Sequence, residues 1–174
     1  MMNKTLRYLL IAANFLLTTV AIAEEAPTYR NRILTIPRVD TDIKAGQYQN
    51  IRFKLADDGR WDLQAATEAK AAAIDASQMV VISSKPVQVL VKAQGYLPSG
   101  CYGLGPINVR RSGNLFEVSV AQVELQTFAV CTQALVPFNV TVPLDVYGLP
   151  AGTYQVTVNG RSNTFALAVD NYLD

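Results

Sequence analysis

The stretch GTYQVTVNGRSNTFALAV, residues 152–169, consists of two β-rich runs joined by a short polar connection. Valine, threonine, tyrosine and phenylalanine favour strands, and Asn159-Gly160 is a residue pair that a two-residue type I′ hairpin turn prefers. The stretch therefore predicts an antiparallel β-hairpin. The same arrangement occurs upstream, where INVRR and LFEVSVAQVEL lie on either side of the short turn sequence SGN.

Further strands are predicted at close intervals from Met79 onward. The runs MVVISS, PVQVLVKAQG and PFNVTVPLDVYG are rich in β-branched residues, and segments with glycine or proline separate them. About seven short antiparallel strands with turn signals between them are typical of a β-sandwich. Pro137 and Pro143 are compatible with an edge strand or a bulge. The pattern predicts an all-β domain, an antiparallel β-sandwich, over residues 79–174.

A smaller β-rich block precedes the sandwich. RILTIPRVD, QYQNIRFKL and RWDLQAAT predict three strands, and Asp58-Gly59 before the third is a strong hairpin signal. We therefore expect a three-stranded antiparallel β-meander within residues 24–70. The alanine-rich stretch EAKAAAIDASQ at 68–78 is compatible with two helical turns, so residues 71–78 are predicted to be a linker.

Residues 1–23 have the features of a signal peptide. Lys4 and Arg7 form a basic region before an apolar run that is too short to cross a bilayer comfortably. Ala21 and Ala23 are the small residues that a signal peptidase requires. We expect cleavage after Ala23, a periplasmic or secreted location, and no membrane span in the remaining chain.

The chain contains two cysteines, Cys101 and Cys131. In an oxidising compartment such a pair typically forms a disulfide. Because the chain has no histidine, two thiolates lack the further ligands that zinc needs, and a thiol nucleophile lacks its usual imidazole base. A disulfide between the two cysteines is our main prediction, with free buried thiols or a redox role as the alternatives.

Three motifs follow one another in the second half of the chain: LPSGCYGLGPINVRRSGNLFEVSV, CTQALVPFNVTVPLDVYGLPAGTYQVTVNG and TFALAV. Together they resemble a small domain of uncharacterised exported bacterial proteins and lipoproteins, over roughly residues 86–169. The resemblance implies an immunoglobulin-like β-sandwich with a disulfide, and a bacterial source. It implies no activity. The expected fold is thus an immunoglobulin-like antiparallel β-sandwich preceded by a small three-stranded β-meander.

Composition narrows the chemistry that this chain supports. Its 15 basic and 14 acidic residues give a net charge of +1, which offers no electrostatic basis for binding nucleic acid or an anionic membrane. The absence of histidine removes the usual general base of hydrolytic triads. We therefore predict no catalytic, cofactor-binding or metal-binding residues, and no cofactor.

Carboxylates are the remaining candidates for chemistry. Asp40 and Asp42 in VDTDIKAG would share one face of an extended segment, as a weak calcium site or simply in a solvated loop. Asp57 and Asp58 lie in a predicted turn, where aspartate is favoured for backbone reasons.

Two more groups of polar and aromatic residues are candidates for binding. Arg110-Arg111 is interpreted as a solvated hairpin end, with a grip on a carboxylate or phosphate as the alternative. Four tyrosines near loops are expected to pack in the core or at corners, with a shared binding face as the alternative. These are Tyr96, Tyr102, Tyr147 and Tyr154.

Taken together, these features predict an exported, non-enzymatic binding or structural module of the bacterial cell envelope. Its partner would be a protein or carbohydrate of the envelope or the extracellular space. A variant of this hypothesis is an inhibitor of a secreted enzyme that presents the stapled glycine-rich loop 98–106. The alternative is a carboxylate-dependent, glycosidase-like hydrolase using Asp40 or Asp42 together with a second acid.

Overall fold

The computed structural model describes residues 26–125 and 130–173, so the predicted signal peptide lies outside the described residues. Within these ranges the protein consists of twelve strands and contains no helix, and hence no helix that could span a membrane. The strands are β1 Thr28–Arg30, β2 Ile33–Val39, β3 Tyr48–Leu55, β4 Trp61–Glu68, β5 Lys70–Ala71, β6 Ala73–Ile82, β7 Gln88–Leu97, β8 Tyr102–Ser112, β9 Leu115–Glu124, β10 Val136–Leu144, β11 Gly152–Val158 and β12 Arg161–Leu167.

The first four strands form an antiparallel sheet in the order β1-β2-β3-β4, here called the N-terminal sheet. It contains the three predicted strands of the meander and a short additional strand, β1. The predicted turn at Asp58-Gly59 is present, with a positive φ of 83° at Gly59. Asn31 and Arg32 form the β1–β2 turn, and their positive φ angles are those of a type I′ turn.

The remaining strands form a β-sandwich of two sheets. The three-stranded sheet has the order β10-β7-β6, and the five-stranded sheet has the order β12-β11-β9-β5 with β8 on the other side of β9. All pairs are antiparallel except β9 with β11, which is parallel. The all-β sandwich is therefore confirmed, with one parallel pair that the turn pattern did not predict. The immunoglobulin-like relationship stays a prediction.

The core lies between the two sheets of the sandwich. Alternate residues of β7, β9, β10 and β11 point into it, as period-two patterning requires. Phe116, Tyr154 and Phe165 form an aromatic cluster with ring centroids 5.2 to 6.2 Å apart. The Tyr154 hydroxyl donates to the Pro150 carbonyl at 2.8 Å, so this buried tyrosine has a partner for its polar group.

The prediction of helical turns at 68–78 is wrong, and the predicted linker 71–78 lies in strands β5 and β6. The reason is tertiary pairing, because β5 hydrogen-bonds to β9 and β6 to β7. These ladders outweigh the helical preference of alanine, which is a weak determinant. Residues 61–82 consequently run from the N-terminal sheet through the five-stranded sheet into the three-stranded sheet, with single residues between strands.

Asn159, in the predicted type I′ turn between β11 and β12, has positive φ (44°) and ties the sandwich together. Its side-chain oxygen accepts from the N–H of Val120 at 2.9 Å. Its amide nitrogen donates to the carbonyls of Ala72 and Val120, both at 2.8 Å. The turn therefore fastens β9 to the residue that joins β5 and β6.

Candidate functional site

Cys101 and Cys131 are joined by a disulfide, with their Cα atoms 5.3 Å apart. The bond connects the start of β8 to the segment before β10. Beside it, the N–H of Gly100 donates to the Thr132 carbonyl at 3.2 Å. The disulfide holds two loops together and contains the whole of β8 and β9 between its ends, which is a structural role.

Asp40, the first of the predicted carboxylates, follows β2 and is held by Arg38. The two side chains form a bidentate ion pair, with Nε–Oδ1 2.7 Å and Nη2–Oδ2 2.8 Å. The backbone N–H of Gly46 donates to Oδ1 at 2.6 Å. Partial burial opposes the charged form, but these hydrogen bonds and the charges of Arg38 and Arg110 outweigh it and lower the pKa of Asp40.

Residues 40–47, here called the Asp40 loop, dock on the β8–β9 hairpin. Arg110 donates to the Thr41 carbonyl and forms an ion pair with Glu117. Glu117 also accepts from the N–H of Ala45 at 2.9 Å. Arg110 therefore binds a carboxylate, but that carboxylate belongs to Glu117 of the same chain. Arg111, the next residue, is exposed. The contact packs one end of the N-terminal sheet on the sandwich.

The other predicted carboxylates do not join Asp40 in a shared site. Asp42 is exposed, and Asp57 and Asp58 form 2.8 Å salt bridges with nearby arginines at the surface. In the part of the chain that the structure describes, no three histidine, cysteine, aspartate or glutamate side chains gather in a metal-binding arrangement. The weak calcium site considered for Asp40 and Asp42 is thus not assembled among these residues.

The four candidate tyrosines do not form one face. Tyr154 is buried in the aromatic cluster and Tyr102 packs against the core. Tyr96 and Tyr147 are exposed by 41% and 58%. Tyr96 pairs with Pro137 at the start of β10, whereas Tyr147 follows the end of that strand. Of these four tyrosines, Tyr96 remains a candidate for binding, because it lies near a surface depression of the three-stranded sheet.

An open depression of about 390 Å³ lies on the three-stranded sheet, and Tyr96 is two residues beyond Gln94, one of its lining residues, on β7. We call it the amide pocket. Polar side chains on the outer face of the sheet line it, and they come from all three strands. These side chains are Gln78 on β6, Lys92 and Gln94 on β7, and Asn139 and Thr141 on β10.

The strand register places these side chains in two rows across the sheet. Gln94 pairs with Asn139, and Lys92 lies between Gln78 and Thr141. Tyr96 begins the next row along β7, with its ring exposed. None of the five polar side chains makes a hydrogen bond or an ion pair with another described residue. Their donors and acceptors are therefore available to a ligand.

The amide pocket is not evident from the sequence. Each residue reads locally as the solvent-facing half of an alternating strand, and β7 shows this clearly at Lys92 and Gln94 on either side of buried Ala93. Each strand contributes only one amide to the pocket, namely Gln78, Gln94 and Asn139, so no strand by itself marks a site, and the register that brings the three strands together is not encoded locally. Pocket volumes of this size are common for small-molecule sites in proteins.

Comparison with known proteins shows which family this chain belongs to. Residues 91–167 match the model of the ORF11 beta-sandwich domain, which agrees with the two-sheet architecture described above. Uncharacterized 10.2 kDa proteins from the HgiBIM and HgiEIM 5′ regions of Herpetosiphon aurantiacus are each 33% identical over 84 residues. The aligned part is 48% of this chain and 100% of either relative. No solved structure matches the chain significantly. The chain therefore belongs to the same family as these two proteins, and within it residues 91–167 match the ORF11 beta-sandwich domain.

Proposed function

We propose that this protein is an exported, non-enzymatic binding module of the cell envelope, and that it binds a carbohydrate in the amide pocket. The observation that supports this proposal is the set of unpartnered polar side chains that converge there from three strands. Amide and hydroxyl groups both donate and accept hydrogen bonds. That is the pattern needed by the hydroxyl groups of a sugar.

Two further features fit a carbohydrate. The depression is open rather than enclosed, so it can hold one sugar unit of a longer saccharide while the rest of the saccharide extends beyond it on either side. Tyr96 stands at the next row of β7 with an exposed ring, which offers the apolar surface and polar tip that sugar rings match. Lys92 is the single charge in the lining, so a saccharide with a carboxylate would gain one ion pair.

The Asp40 loop supports the binding hypothesis over the glycosidase alternative. A general acid needs a raised pKa, so that it carries a proton at working pH. The pKa of Asp40 is instead lowered by Arg38 and Gly46 against the effect of burial. Both oxygens of Asp40 and both of Glu117 accept hydrogen bonds or ion pairs from the protein itself. Export accords with the disulfide, which is stable in oxidising compartments.

The test is binding of the purified protein to an array of peptidoglycan fragments and envelope oligosaccharides, followed by calorimetry on the strongest ligand. Gln94→Ala removes one or two hydrogen bonds, so we expect the Kd to rise roughly three- to tenfold. Gln88→Ala is the matched control, because it changes the same residue type on the same face of β7 outside the pocket. Equal losses in both variants, or no saccharide retained, would contradict the proposal.

The hydrolase alternative is tested on the same saccharides. Reducing ends are assayed after prolonged incubation with the wild-type protein, Asp40→Asn and Asp42→Asn. We expect no release of reducing ends by any of the three proteins. Turnover by the wild type that disappears in either variant would favour the carboxylate enzyme instead.

A further inference from the structure

Lys92, in the amide pocket, carries a positive charge that no neighbouring side chain on the sheet balances. It lies on β7, the middle strand, directly opposite Gln78 on β6 and Thr141 on β10. Its four diagonal neighbours in the register, which a long side chain also reaches, are uncharged: Ala76, Val80, Asn139 and Pro143. Lys92 forms no ion pair with another described residue. Its ammonium group is therefore available to an anionic group of a ligand.

The other charged residue of this sheet lies toward the opposite end of the pocket. β6, β7 and β10 contain two charged residues, Lys92 and Asp75. Asp75 is exposed in the bulge of β6, just before Ala76. Because Ala76 pairs with Gln94, Asp75 lies on the side of the pocket that leads to Tyr96. Opposite charges attract and like charges repel, so a negative group of a ligand is favoured at Lys92 and disfavoured toward Tyr96.

Lys92 and Tyr96 are too far apart to bind the same sugar ring. They lie four residues apart on the outer face of β7, which corresponds to about 13 Å along an extended strand. Gln94 lies midway between them, with Asn139 directly opposite. The two amides supply donors and acceptors for hydroxyl groups between the two ends. A ligand that uses the whole row consequently contains more than one sugar unit.

We propose that the ligand of the amide pocket is an acidic oligosaccharide, with a carboxylate-bearing unit at Lys92 and an uncharged ring at Tyr96. This inference rests on the proposed function and specifies the class and the orientation of its ligand. The ammonium group forms a charge-assisted hydrogen bond with the carboxylate. Gln78 and Thr141, on either side of Lys92, have donors for its remaining lone pairs. The exposed ring of Tyr96 packs on the apolar face of the second unit.

The first test compares one saccharide with and without its charge. The probe is a tetrasaccharide that alternates glucuronate with N-acetylglucosamine, and calorimetry compares it with the same tetrasaccharide after reduction of its carboxylates to alcohols. We expect the acidic form to bind the wild type roughly five- to tenfold more tightly. Lys92→Gln should abolish this preference and Lys92→Arg should retain it.

Lys54→Gln is the matched control, because Lys54 is also a strand lysine but lies opposite Asp62 in the N-terminal sheet. It should leave the preference unchanged, and circular dichroism checks that all variants fold. Equal loss of the preference in Lys54→Gln and Lys92→Gln would overturn the assignment to Lys92. Tighter binding of a carboxyl-reduced, sulfated tetrasaccharide would assign the pocket to sulfate esters and overturn the carboxylate.

Salt provides a test that needs no substitution. Raising the salt concentration from about 0.01 M to about 1 M shortens the screening length from about 30 Å to about 3 Å. The preference of the wild type for the acidic form should shrink over this range. The affinity of Lys92→Gln for the same probe should change little. A preference that salt leaves unchanged contradicts an ion pair at Lys92.

The orientation is tested with saccharides of two lengths. Tyr96→Ala should weaken binding of the tetrasaccharide roughly three- to tenfold and leave binding of the disaccharide nearly unchanged, since the shorter ligand held at Lys92 does not reach Tyr96. Tyr147→Ala is the control, at a tyrosine exposed by 58% beyond the end of β10. Equal losses for both lengths would overturn the proposed orientation.

The outcomes separate this inference from the proposed function. If neutral saccharides bind the wild type as tightly as acidic ones, or if the protein retains neutral saccharides and not the acidic probe, the inference is overturned while carbohydrate binding stands. If the protein retains no saccharide of either kind, the proposed function fails, and the inference fails with it.

Discussion

Replacement of Asn159 by glycine isolates the energy that one side chain contributes at the junction of β5, β6 and β9. Glycine adopts positive φ without strain, so Asn159→Gly keeps the turn and removes three hydrogen bonds. A hydrogen bond within a protein contributes about 0.5–1.5 kcal/mol net. Val120 is fully buried, so water does not readily replace the lost partner of its N–H. We expect a loss of roughly 2–4 kcal/mol in the free energy of unfolding.

Asn159→Ala adds a second, separable cost. A residue with a Cβ atom in the left-handed region is strained by about 1–2 kcal/mol, and asparagine relieves part of this by local hydrogen bonding. Asn159→Ala should therefore be less stable than Asn159→Gly by roughly 1 kcal/mol. For a protein of this size, 1 kcal/mol corresponds to about 2–4 °C in Tm.

The assay is urea unfolding followed by far-ultraviolet circular dichroism, with calorimetry for the Tm. Asn31→Gly is the matched control: Asn31 also has positive φ, 50°, in a type I′ turn, and its side chain makes no hydrogen bond to another described residue. It should change stability by a few tenths of a kcal/mol at most. If Asn159→Gly is no less stable than Asn31→Gly, the reasoning about the three hydrogen bonds is refuted.

Three other perturbations test separate parts of the structure. The pKa of Asp40 is lowered in the folded protein, so its contribution to stability is present above the unfolded-state pKa and lost as the pH falls through the folded-state pKa. The Tm difference between wild type and Asp40→Asn should thus be largest near neutral pH and shrink below about pH 4; a difference independent of pH would contradict this. Gly95→Ala should lower the free energy of unfolding in urea by about 1–3 kcal/mol, because the new Cβ would lie 1.9 Å from the Ala73 carbonyl oxygen. If the variant is as stable as the wild type, β6 must move away at little cost, which contradicts this prediction. Cys131→Ala should cost roughly 2–5 kcal/mol, and an unchanged unfolding midpoint in the variant would mean that the staple contributes little.

Local signals in the sequence predicted most of the strands. Asp58-Gly59 and Asn159-Gly160 determine their turns by their own backbone preferences, and the hairpins follow from those turns. The ion pair between Arg110 and Glu117 was also accessible in principle, since a turn at SGN places these two residues opposite each other. The arginine pair by itself is typical of a solvated hairpin end, and only the register of the hairpin shows that Glu117 lies opposite Arg110.

Non-local pairing explains what the sequence did not predict. The alanines of residues 68–78 have helical propensity, but β7 and β9 provide ladders that a local pattern does not reveal. The amide pocket depends on the register of Gln78, Gln94 and Asn139, and β10, which carries Asn139, lies far along the chain from β6 and β7. The Asp40 loop was identified as a place of interest for its carboxylates, but its partners lie on a hairpin about seventy residues away.

The course of residues 61–82 through three sheets decides where this protein can be divided. A fragment that starts at residue 79, the boundary expected from the turn pattern, would lose the first part of β6 and all of β5. Half of β7 would then become a bare edge, and such edges promote aggregation. A fragment that starts at Ala69 keeps every strand of the sandwich and severs the chain between two sheets. Ala69 is therefore the position at which the chain can be cut to produce the sandwich alone, or to replace the N-terminal sheet by another domain, without interrupting a strand of either sheet.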